Sequence, residues 1–247
     1  MIKYVSNSLL ATMISFSNEI GNMCSAVPGV DARLVWKGVH LDRRLTPING
    51  QVGGAAGVTE YLWHGLGFGG SCFPKDVAAL RSFGRTVGEQ TRMLDAVLDI
   101  NADQPLRMVA LLEKELSLAG KTVAVLGLAF KPGTDDLRES PALPLVAELR
   151  KKGAKVLVHD PIAMPHAKKR PEFRDVVFAE DWAEALRKSD ACCLVTAWPE
   201  YRNIQPTNFQ KLMTRALVID GRGVFEPAAM AAAGVVWRGV GYTPEST

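Results

Sequence analysis

Short apolar runs that alternate with helical segments occupy the chain after Gly120, and they constrain its architecture more than any other feature. Residues 122–126 are continuously apolar apart from the opening threonine, as strands covered on both faces of a parallel sheet are. Further strands are predicted at 155–159, 191–197, 216–220 and 235–240. Helices are predicted between them at 140–152, 181–188, 208–213 and 227–233. This alternation predicts an α/β fold with a doubly wound parallel sheet and right-handed crossovers.

The part of the chain before Gly120 has a helical pattern instead. Apolar residues at three- and four-residue steps predict helices at 2–27, 73–84 and 91–119. Pro105 kinks or restarts the last of these. Residues 38–58 are rich in glycine and proline and are predicted to be irregular. We therefore expect two domains, an all-helical one at 1–118 and a Rossmann-like one at 119–247.

Composition excludes several classes of protein. The 247 residues include 47% hydrophobic and 22% charged residues, which is ordinary globular usage and argues against disorder. A net charge of +3 without a basic stripe argues against nucleic acid as a partner. Neither a membrane span of about 20 apolar residues nor a signal peptide is visible. A soluble, cytoplasmic protein that does not bind membranes is expected.

The cysteines and histidines indicate neither a disulfide framework nor a metal site. The four cysteines, at 24, 72, 192 and 193, fit no zinc-ligand spacing, and the four histidines are equally scattered. Cys192 and Cys193 fall inside a predicted strand and are expected in the core. We predict no metal and a reducing compartment.

The segment from Gly67 to Asp76, GFGGSCFPKD, is the sharpest candidate for chemistry. Its three glycines let the backbone approach a ligand closely. Pro74 suits the first position of the following helix, which places Cys72 just outside a helix N-terminus, where a thiolate is favoured. Asp76 follows within the first turn. A buried structural cysteine after a glycine-rich turn is an equally open interpretation.

Lys3 and Asn7 form a second candidate site. At positions i and i+4 they share one face of the first helix. A cation and an amide held together can stabilise a developing oxyanion. An ordinary solvated lysine and a surface asparagine remain the alternative.

The loop after the first predicted strand, Gly127 to Ser140, is the third candidate. Doubly wound sheets bind ligands at this position. The loop is not G-x-G-x-x-G, however, because Ala129 stands at the second glycine, and dinucleotide binding is therefore disfavoured. Lys131 and Arg138 are candidates to face phosphates, as is Arg222 after a later strand. A lone arginine in such a loop is, however, more often a partner in a surface salt bridge.

Taken together, these three motifs resemble the UDP-glucose/GDP-mannose (nucleotide-sugar 6-) dehydrogenase family. The resemblance runs from Ile2–Asn7 through Gly67–Asp76 and Gly127–Ser140 to Val218–Arg222. It implies a helical dimerisation region followed by a degenerate dinucleotide-type fold that holds the nucleotide of the sugar. It also implies a homodimer, and two NAD+ consumed per sugar oxidised at C6, with UDP-glucose the expected substrate and GDP-mannose or a UDP-N-acetyl sugar the alternatives.

The resemblance also implies roles for individual residues. Cys72 matches the nucleophile that passes through a thiohemiacetal and a thioester, Lys3 and Asn7 match the oxyanion-stabilising pair, and Asp76 matches the carboxylate that helps to activate water. Substrate contacts are implied for Phe68, Gly69, Gly70, Lys131 and Arg222.

Two departures from the family pattern qualify what the resemblance implies. No segment supplies the N-terminal strand and G-x-G-x-x-G loop with which the family binds NAD, so the cofactor-binding residues are unknown and the chain looks like a C-terminal portion. The stretch Tyr61–Gly65 also lacks an arginine that some members place near the substrate, and His64 is a possible replacement. A non-catalytic module that binds a nucleotide-sugar or pairs with another chain is therefore the second hypothesis.

Overall fold

A computed structural model describes residues 1–45 and 57–243 of the chain. The chain divides into two compact units. Unit 1 comprises Met1–Ala102 with Gly241–Thr247, and unit 2 comprises Asp103–Val240. The division falls earlier than the predicted boundary at residue 119, because the helix after Pro105 packs on the sheet of unit 2. Most of the predicted irregular segment, residues 46–56, lies outside the described residues.

Unit 1 is helical over its described residues. Its helices are α1 (Ile2–Cys24), α2 (Ala32–Val39), a 3₁₀ turn (Val58–Tyr61), α3 (Phe73–Thr86) and α4 (Arg92–Asp103). The α1 helix ends three residues before the predicted Val27, and Gly29 then turns the chain with a φ of 78°. The α2 helix, which the sequence did not reveal, begins where the Asp31 carboxylate accepts a hydrogen bond from the Arg33 N–H.

The α1 helix is amphipathic in an unusual sense. Its buried residues are mostly small or polar, namely Ser8, Ala11, Ser15, Ser17, Asn18, Gly21 and Cys24. This narrow face packs against α3. Several large apolar side chains are exposed instead, namely Ile2, Val5, Leu9, Phe16 and Met23. Part of the apolar pattern that predicted the helix is therefore an exposed stripe of side chains that no other described part of unit 1 covers.

Unit 2 is built on one parallel sheet, as predicted, but the sheet has six strands and not the five that the sequence showed. The strands are β1 (Thr122–Leu126), β2 (Lys155–His159), β3 (Val177–Phe178), β4 (Ala191–Leu194), β5 (Leu217–Asp220) and β6 (Val236–Gly239). Their order in the sheet is β3-β2-β1-β4-β5-β6. The order reverses between β1 and β4, which is the switch point where doubly wound sheets form their ligand crevice.

Helices connect these strands. They are α5 (Leu106–Glu113), α6 (Ala142–Lys151), α7 (Met164–Ala167), α8 (Trp182–Leu186), α9 (Pro199–Arg202), α10 (Pro206–Leu212) and α11 (Pro227–Ala232). The sequence did not predict α7, α9 or the two-residue β3. The α6 helix begins at Ala142, two residues after the predicted start at residue 140, and the Ser140 hydroxyl accepts a hydrogen bond from the Ala142 N–H at 3.2 Å.

The core of unit 2 lies on the central strands. All four residues of β4 and of β5 are buried, Cys192 and Cys193 among them. Burial raises the pKa of both thiols, so they are neutral core residues, as predicted. Among the described helices, none has the length and apolarity that crossing a membrane requires.

Candidate functional site

Asp76 gathers polar side chains from α1 and α3 into one cluster. Asn7 donates a hydrogen bond from Nδ2 to Asp76 Oδ2 at 2.6 Å, and Lys3 Nζ lies 3.6 Å from the same oxygen. Lys75 Nζ lies 3.2 Å from the other oxygen, Oδ1. The structure therefore brings together three of the four residues proposed for catalysis and adds Lys75, which sequence reasoning missed. The adjacent position of Lys75 in the motif was the available signal.

The cluster is a buried carboxylate between two ammonium groups. The Asp76 side chain is 0% exposed, whereas that of Lys3 is 64% exposed. Burial raises the pKa of Asp76, but the hydrogen bond from Asn7 and the charges of Lys75 and Lys3 outweigh it, so the pKa lies below its usual value. The hydrogen bond to Asp76 in turn raises the pKa of Lys75. Asp76 is thus ionised and holds its partners in fixed positions.

Cys72 lies at the start of the helix that carries Asp76. It is the N-cap residue of α3, and its carbonyl accepts a hydrogen bond from the Asp76 N–H at 2.9 Å. Phe73 is the first helical residue and Pro74 the second, so Pro74 stands one position later than predicted. The thiol of Cys72 is exposed, whereas the other three cysteines are buried. The structural interpretation of a buried cysteine does not apply to it.

Two asparagines hold the glycine turn that precedes Cys72. Asn101 accepts a hydrogen bond from the Phe68 N–H at 2.7 Å and donates one to the Phe68 carbonyl at 3.0 Å. Asn18 accepts a hydrogen bond from the Gly65 N–H at 2.7 Å. Gly67 has a φ of +80°, and a Cβ there would lie 2.3 Å from Asn101 Oδ1. The glycine is therefore required by both conformation and space.

The Phe68 side chain packs into the core of unit 1. It lies in a cluster with Ala11, Val77 and Val97, and its ring meets that of Phe73 edge to face at 6.0 Å. Phe68 thus anchors the turn, and its side chain faces the protein interior. Substrate contacts by Phe68, Gly69 and Gly70 stay predictions.

His64 is packed between two glycines. A Cβ at Gly21 would lie 2.6 Å from His64 Cβ, and one at Gly241 would come into even closer contact with the ring. The ring therefore joins α1 to the C-terminal segment of unit 1. This packing favours a structural role for His64 over replacement of the arginine that the sequence lacks.

The nucleotide-binding candidates of unit 2 follow the carboxyl ends of β1 and β5, the two strands that flank β4 in the sheet. Lys131, in the loop after β1, is exposed, and its Nζ lies 5.5 Å from the centre of the Phe130 ring. Arg138 makes a two-pronged pair with Asp136, with contacts of 3.0 and 2.8 Å. It is thus the salt-bridged residue that the alternative interpretation described.

Arg222 follows β5 and is held by the sheet. Its Nε donates to the Val195 carbonyl at 2.7 Å, beyond the end of β4, and its N–H donates to Asp220 at 2.9 Å. Burial lowers the pKa of Arg222 to about 10, which leaves it charged at neutral pH. The charge of the nearby Asp220 opposes this lowering. Binding of a nucleotide anion by Arg222 stays a prediction.

No cluster of metal-ligating side chains occurs in residues 1–45 and 57–243.

Comparison with known proteins accounts for both units. Residues 1–103 match the central-domain model, and residues 124–227 the UDP-binding-domain model, of the UDP-glucose/GDP-mannose dehydrogenase family. UDP-glucose 6-dehydrogenase TuaD of Bacillus subtilis is 39% identical over 98% of this chain and 50% of its own length. UDP-glucose 6-dehydrogenase AglM of Haloferax volcanii is 43% identical over 91% of this chain and 48% of its own length.

A solved structure agrees with the sequence matches. A UDP-glucose dehydrogenase from the hyperthermophilic archaeon Pyrobaculum islandicum superposes with a TM-score of 0.82 at 38% identity, over 98% of this chain and 50% of that one. The chain thus spans about half the length of the relatives it matches. It belongs to the UDP-glucose/GDP-mannose dehydrogenase family, of which it carries the central and the UDP-binding domains.

Proposed function

We propose that the chain supplies the covalent-catalysis and nucleotide-binding parts of a nucleotide-sugar 6-dehydrogenase that converts UDP-glucose to UDP-glucuronate. The observation that carries this proposal is the exposed Cys72 at the start of α3, one turn before an ionised Asp76 that orients Lys3 and Asn7. Family membership and two relatives named UDP-glucose 6-dehydrogenase support it.

The thiol of Cys72 would act as the nucleophile. Its thiolate adds to the C6 aldehyde carbon to form a C–S bond. The carbonyl oxygen takes up the electron pair of the broken π bond and then the proton that the thiol released, which gives the thiohemiacetal. The ammonium of Lys3 and the amide of Asn7 are the groups proposed to stabilise that oxygen. A later thioester at the same sulfur would be cleaved by water to give the carboxylate and the free thiol.

Asp76 acts through its neighbours in this proposal. Its carboxylate has no exposed surface, and both of its oxygens already meet cationic or amide partners. This arrangement supports Asp76 as the residue that positions Lys3 and Asn7. The role in water activation that the family resemblance implied would require the side chain to become accessible first.

The oxidations themselves need NAD+ as hydride acceptor, and we propose this cofactor for the whole enzyme on the basis of the family. The described residues do not fit a dinucleotide at its usual place in a doubly wound sheet, because the turn after β1 is filled by protein groups. No step of the chemistry above is therefore assigned to NAD-binding residues of this chain.

Within unit 2, Lys131 and Arg222 are the residues proposed to hold the nucleotide. Sugar contacts by the Gly69–Gly70 turn of unit 1 stay a prediction from the family resemblance. We keep the functional division near residue 119 as a proposal, although the helix 106–113 belongs structurally to unit 2. GDP-mannose and UDP-N-acetyl sugars remain alternative substrates.

A homodimer through the exposed stripe of α1 is the proposed assembly. Ile2, Val5, Leu9, Phe16 and Met23 leave a row of apolar side chains in solvent on a helix whose inner face is already packed. Contiguous exposed apolar surface of this kind marks interaction sites. Analytical ultracentrifugation of the chain and of a Leu9→Lys variant tests the assembly, and a monomer in both would contradict it.

Calorimetric titration with UDP-glucose, GDP-mannose and UDP-N-acetylglucosamine tests the nucleotide site. We expect UDP-glucose to bind tightest and Arg222→Ala to weaken it about tenfold or more, the usual cost of losing a charge-assisted hydrogen bond. Arg150→Ala is the matched control, since Arg150 lies in the last turn of α6 and pairs with Asp175. Equal affinity of Arg222→Ala and the parent chain would remove Arg222 from the site.

Production of NADH from UDP-glucose and NAD+ distinguishes the enzyme from a non-catalytic module. Turnover that disappears in Cys72→Ser would support catalysis by the chain itself. Binding of UDP-glucose without turnover would favour the second hypothesis, a module that holds the nucleotide-sugar.

A further inference from the structure

Asp160, at the end of β2, fills the turn after β1 with a carboxylate. Its Oδ2 accepts hydrogen bonds from the N–H groups of Leu128 at 2.7 Å and Ala129 at 3.0 Å. The preceding Gly127 N–H donates to the His159 carbonyl at 2.8 Å. All three consecutive N–H groups of the turn are therefore used inside unit 2.

The carbonyls of the same turn are used as well. The Ser140 hydroxyl donates to the Leu128 carbonyl at 2.6 Å, and the Thr196 hydroxyl donates to the Ala129 carbonyl at 2.6 Å. Leu128 and Ala129 are both fully buried. Every backbone polar group of these two residues is satisfied without a ligand.

The carboxylate also reaches across the switch point. Trp198, which follows β4, donates from its indole Nε1 to Asp160 Oδ2 at 3.0 Å. Ile162 and Ala163 donate their N–H groups to Oδ1 at 3.0 and 2.8 Å. Asp160 is 1% exposed and accepts five hydrogen bonds that join the loops after β1, β2 and β4.

In a dinucleotide-binding doubly wound sheet, N–H groups at this turn point at the pyrophosphate, and an acidic residue about 20 residues further on bonds the ribose. We propose that Asp160 is an internal anion that closes this turn, so that unit 2 excludes dinucleotide phosphates from its switch point. This inference goes beyond the proposed function. It concerns a dinucleotide, which unit 2 does not bind at its switch point, and Asp160, which is not one of the residues proposed to hold the nucleotide-sugar.

With the turn at Leu128 and Ala129 closed by Asp160, only the later part of the loop after β1 is available to bind ligands. Beyond Ala129 the loop carries the exposed Lys131, and its residues Thr134–Arg138 border a groove of about 520 Å³. A single nucleotide bound by this outer part and by Arg222 would leave Leu128 and Ala129 undisturbed. Alanine at position 129, where the dinucleotide motif G-x-G-x-x-G has its second glycine, is then compatible with ligand binding, since no phosphate has to approach it.

Amide hydrogen exchange followed by NMR tests the closure. Asp160→Asn keeps the shape of the side chain but presents an NH2 group to N–H donors whichever way the amide is turned. We expect the Leu128 and Ala129 amides, or those of Ile162 and Ala163, to exchange about tenfold faster or more in this variant. Unchanged exchange at all four amides in a folded variant would overturn the proposal.

Asp190→Asn is the matched control. Asp190 Oδ2 accepts a hydrogen bond from the Thr122 N–H at 2.9 Å, at the other end of β1. This substitution is expected to leave Leu128 and Ala129 unchanged, whichever way the amide of the asparagine is turned. Equal acceleration of the turn by both variants would show general loosening of β1 and would overturn the specific role of Asp160.

Titration of the unaltered chain with NAD+ and ADP-ribose gives a second readout that does not depend on folding of the variant. The resonances of Gly127, Leu128 and Ala129 are expected to stay in place, wherever else these ligands bind. Saturable shifts at these three amides would overturn the proposal. Failure of UDP to bind anywhere would contradict the proposed function instead, and it would leave the exchange and dinucleotide results to decide on Asp160.

Discussion

The chain has two glycine turns that are built alike and differ in what holds them. Gly67 and Gly127 both have positive φ values, of +80° and +95°, and both lie against a neighbouring side chain that leaves no room for a Cβ. In unit 1 the turn is held by the neutral amides of Asn18 and Asn101. In unit 2 it is held by the carboxylate of Asp160.

The nature of the partner decides what each turn can offer. The neutral amides of Asn18 and Asn101 form hydrogen bonds with the backbone of Gly65 and Phe68. Cys72 follows this turn and is exposed. The carboxylate of Asp160 satisfies two consecutive N–H groups, which are the groups a phosphate would use. One turn therefore presents a reactive group, whereas the other is closed and leaves ligand binding to the residues that follow it.

Thiol labelling is expected to show the largest difference between the two regions. Cys72 follows the Gly67 turn and is exposed. Cys192 and Cys193 are buried in β4, which pairs with β1, the strand that precedes the Gly127 turn. One thiol per native chain is expected to react with a disulfide reagent, and the other three to react orders of magnitude more slowly, after unfolding. Cys72→Ser is expected to leave no fast-reacting thiol. A second fast thiol that persists in Cys24→Ser would show that β4 is open, whereas one that disappears in Cys24→Ser would show that the end of α1 is open.

Gly127→Ala is expected to cost the most stability. A Cβ there would lie 2.4 Å from Thr196 Cβ and 2.6 Å from the Thr196 backbone nitrogen, which cannot move aside. Together with the positive φ, this predicts a loss of about 3 kcal/mol or more in the free energy of unfolding. Chemical unfolding followed by circular dichroism measures it.

Gly133→Ala is the control for that substitution. Gly133 has a similar φ of +79° with nothing within 4 Å of its Cβ position. Only the conformational cost, about 1–2 kcal/mol, is expected there. Equal losses at positions 127 and 133 would mean that Thr196 yields and that the second turn is less rigid than its hydrogen bonds indicate.

Gly67→Ala is expected to be intermediate, at about 2 kcal/mol, because the clashing atom is a side-chain oxygen. Asn101→Ala removes that atom together with two hydrogen bonds and is expected to cost about 2 kcal/mol by itself. The double variant should cost less than the sum, since the clash is absent. Strict additivity would contradict the contact between Gly67 and Asn101.

The sequence predicted the sheet of unit 2 because buried parallel strands are continuous apolar runs. It missed β3, since two residues make no pattern. The expected boundary at residue 119 also differs from the structural division after Ala102, because the helix 106–113 has the same amphipathic period wherever it packs. The site followed from motifs that are local in sequence. Cys72 and Asp76 share one helix, and Lys3 and Asn7 share another.

The residues that hold the site were not predictable in the same way. Asn101 lies 33 residues from Phe68 and Asp160 lies 32 residues from Leu128, and neither has a local signature. An asparagine in a helix and an aspartate after a strand have many roles. Only the folded chain shows which backbone groups they satisfy.

The smallest expected effect concerns stability at acid pH. It tests whether Asp76 is the charged group that stabilises the cluster with Lys3 and Asn7 in unit 1. The folded-state pKa of Asp76 lies below the unfolded value of about 3.9. Its contribution to stability is therefore complete above that value and is lost as the pH falls through the folded-state pKa. Asp76→Asn is expected to be less stable than the parent chain at pH 7, and the gap in urea midpoint should narrow below about pH 4.

Asn7→Ala removes a hydrogen bond that lowers the pKa of Asp76, so the loss of stability on acidification should move to higher pH. A gap between the parent chain and Asp76→Asn that stays constant from pH 7 to pH 3 would show that Asp76 does not carry the charge that orients Lys3 and Asn7.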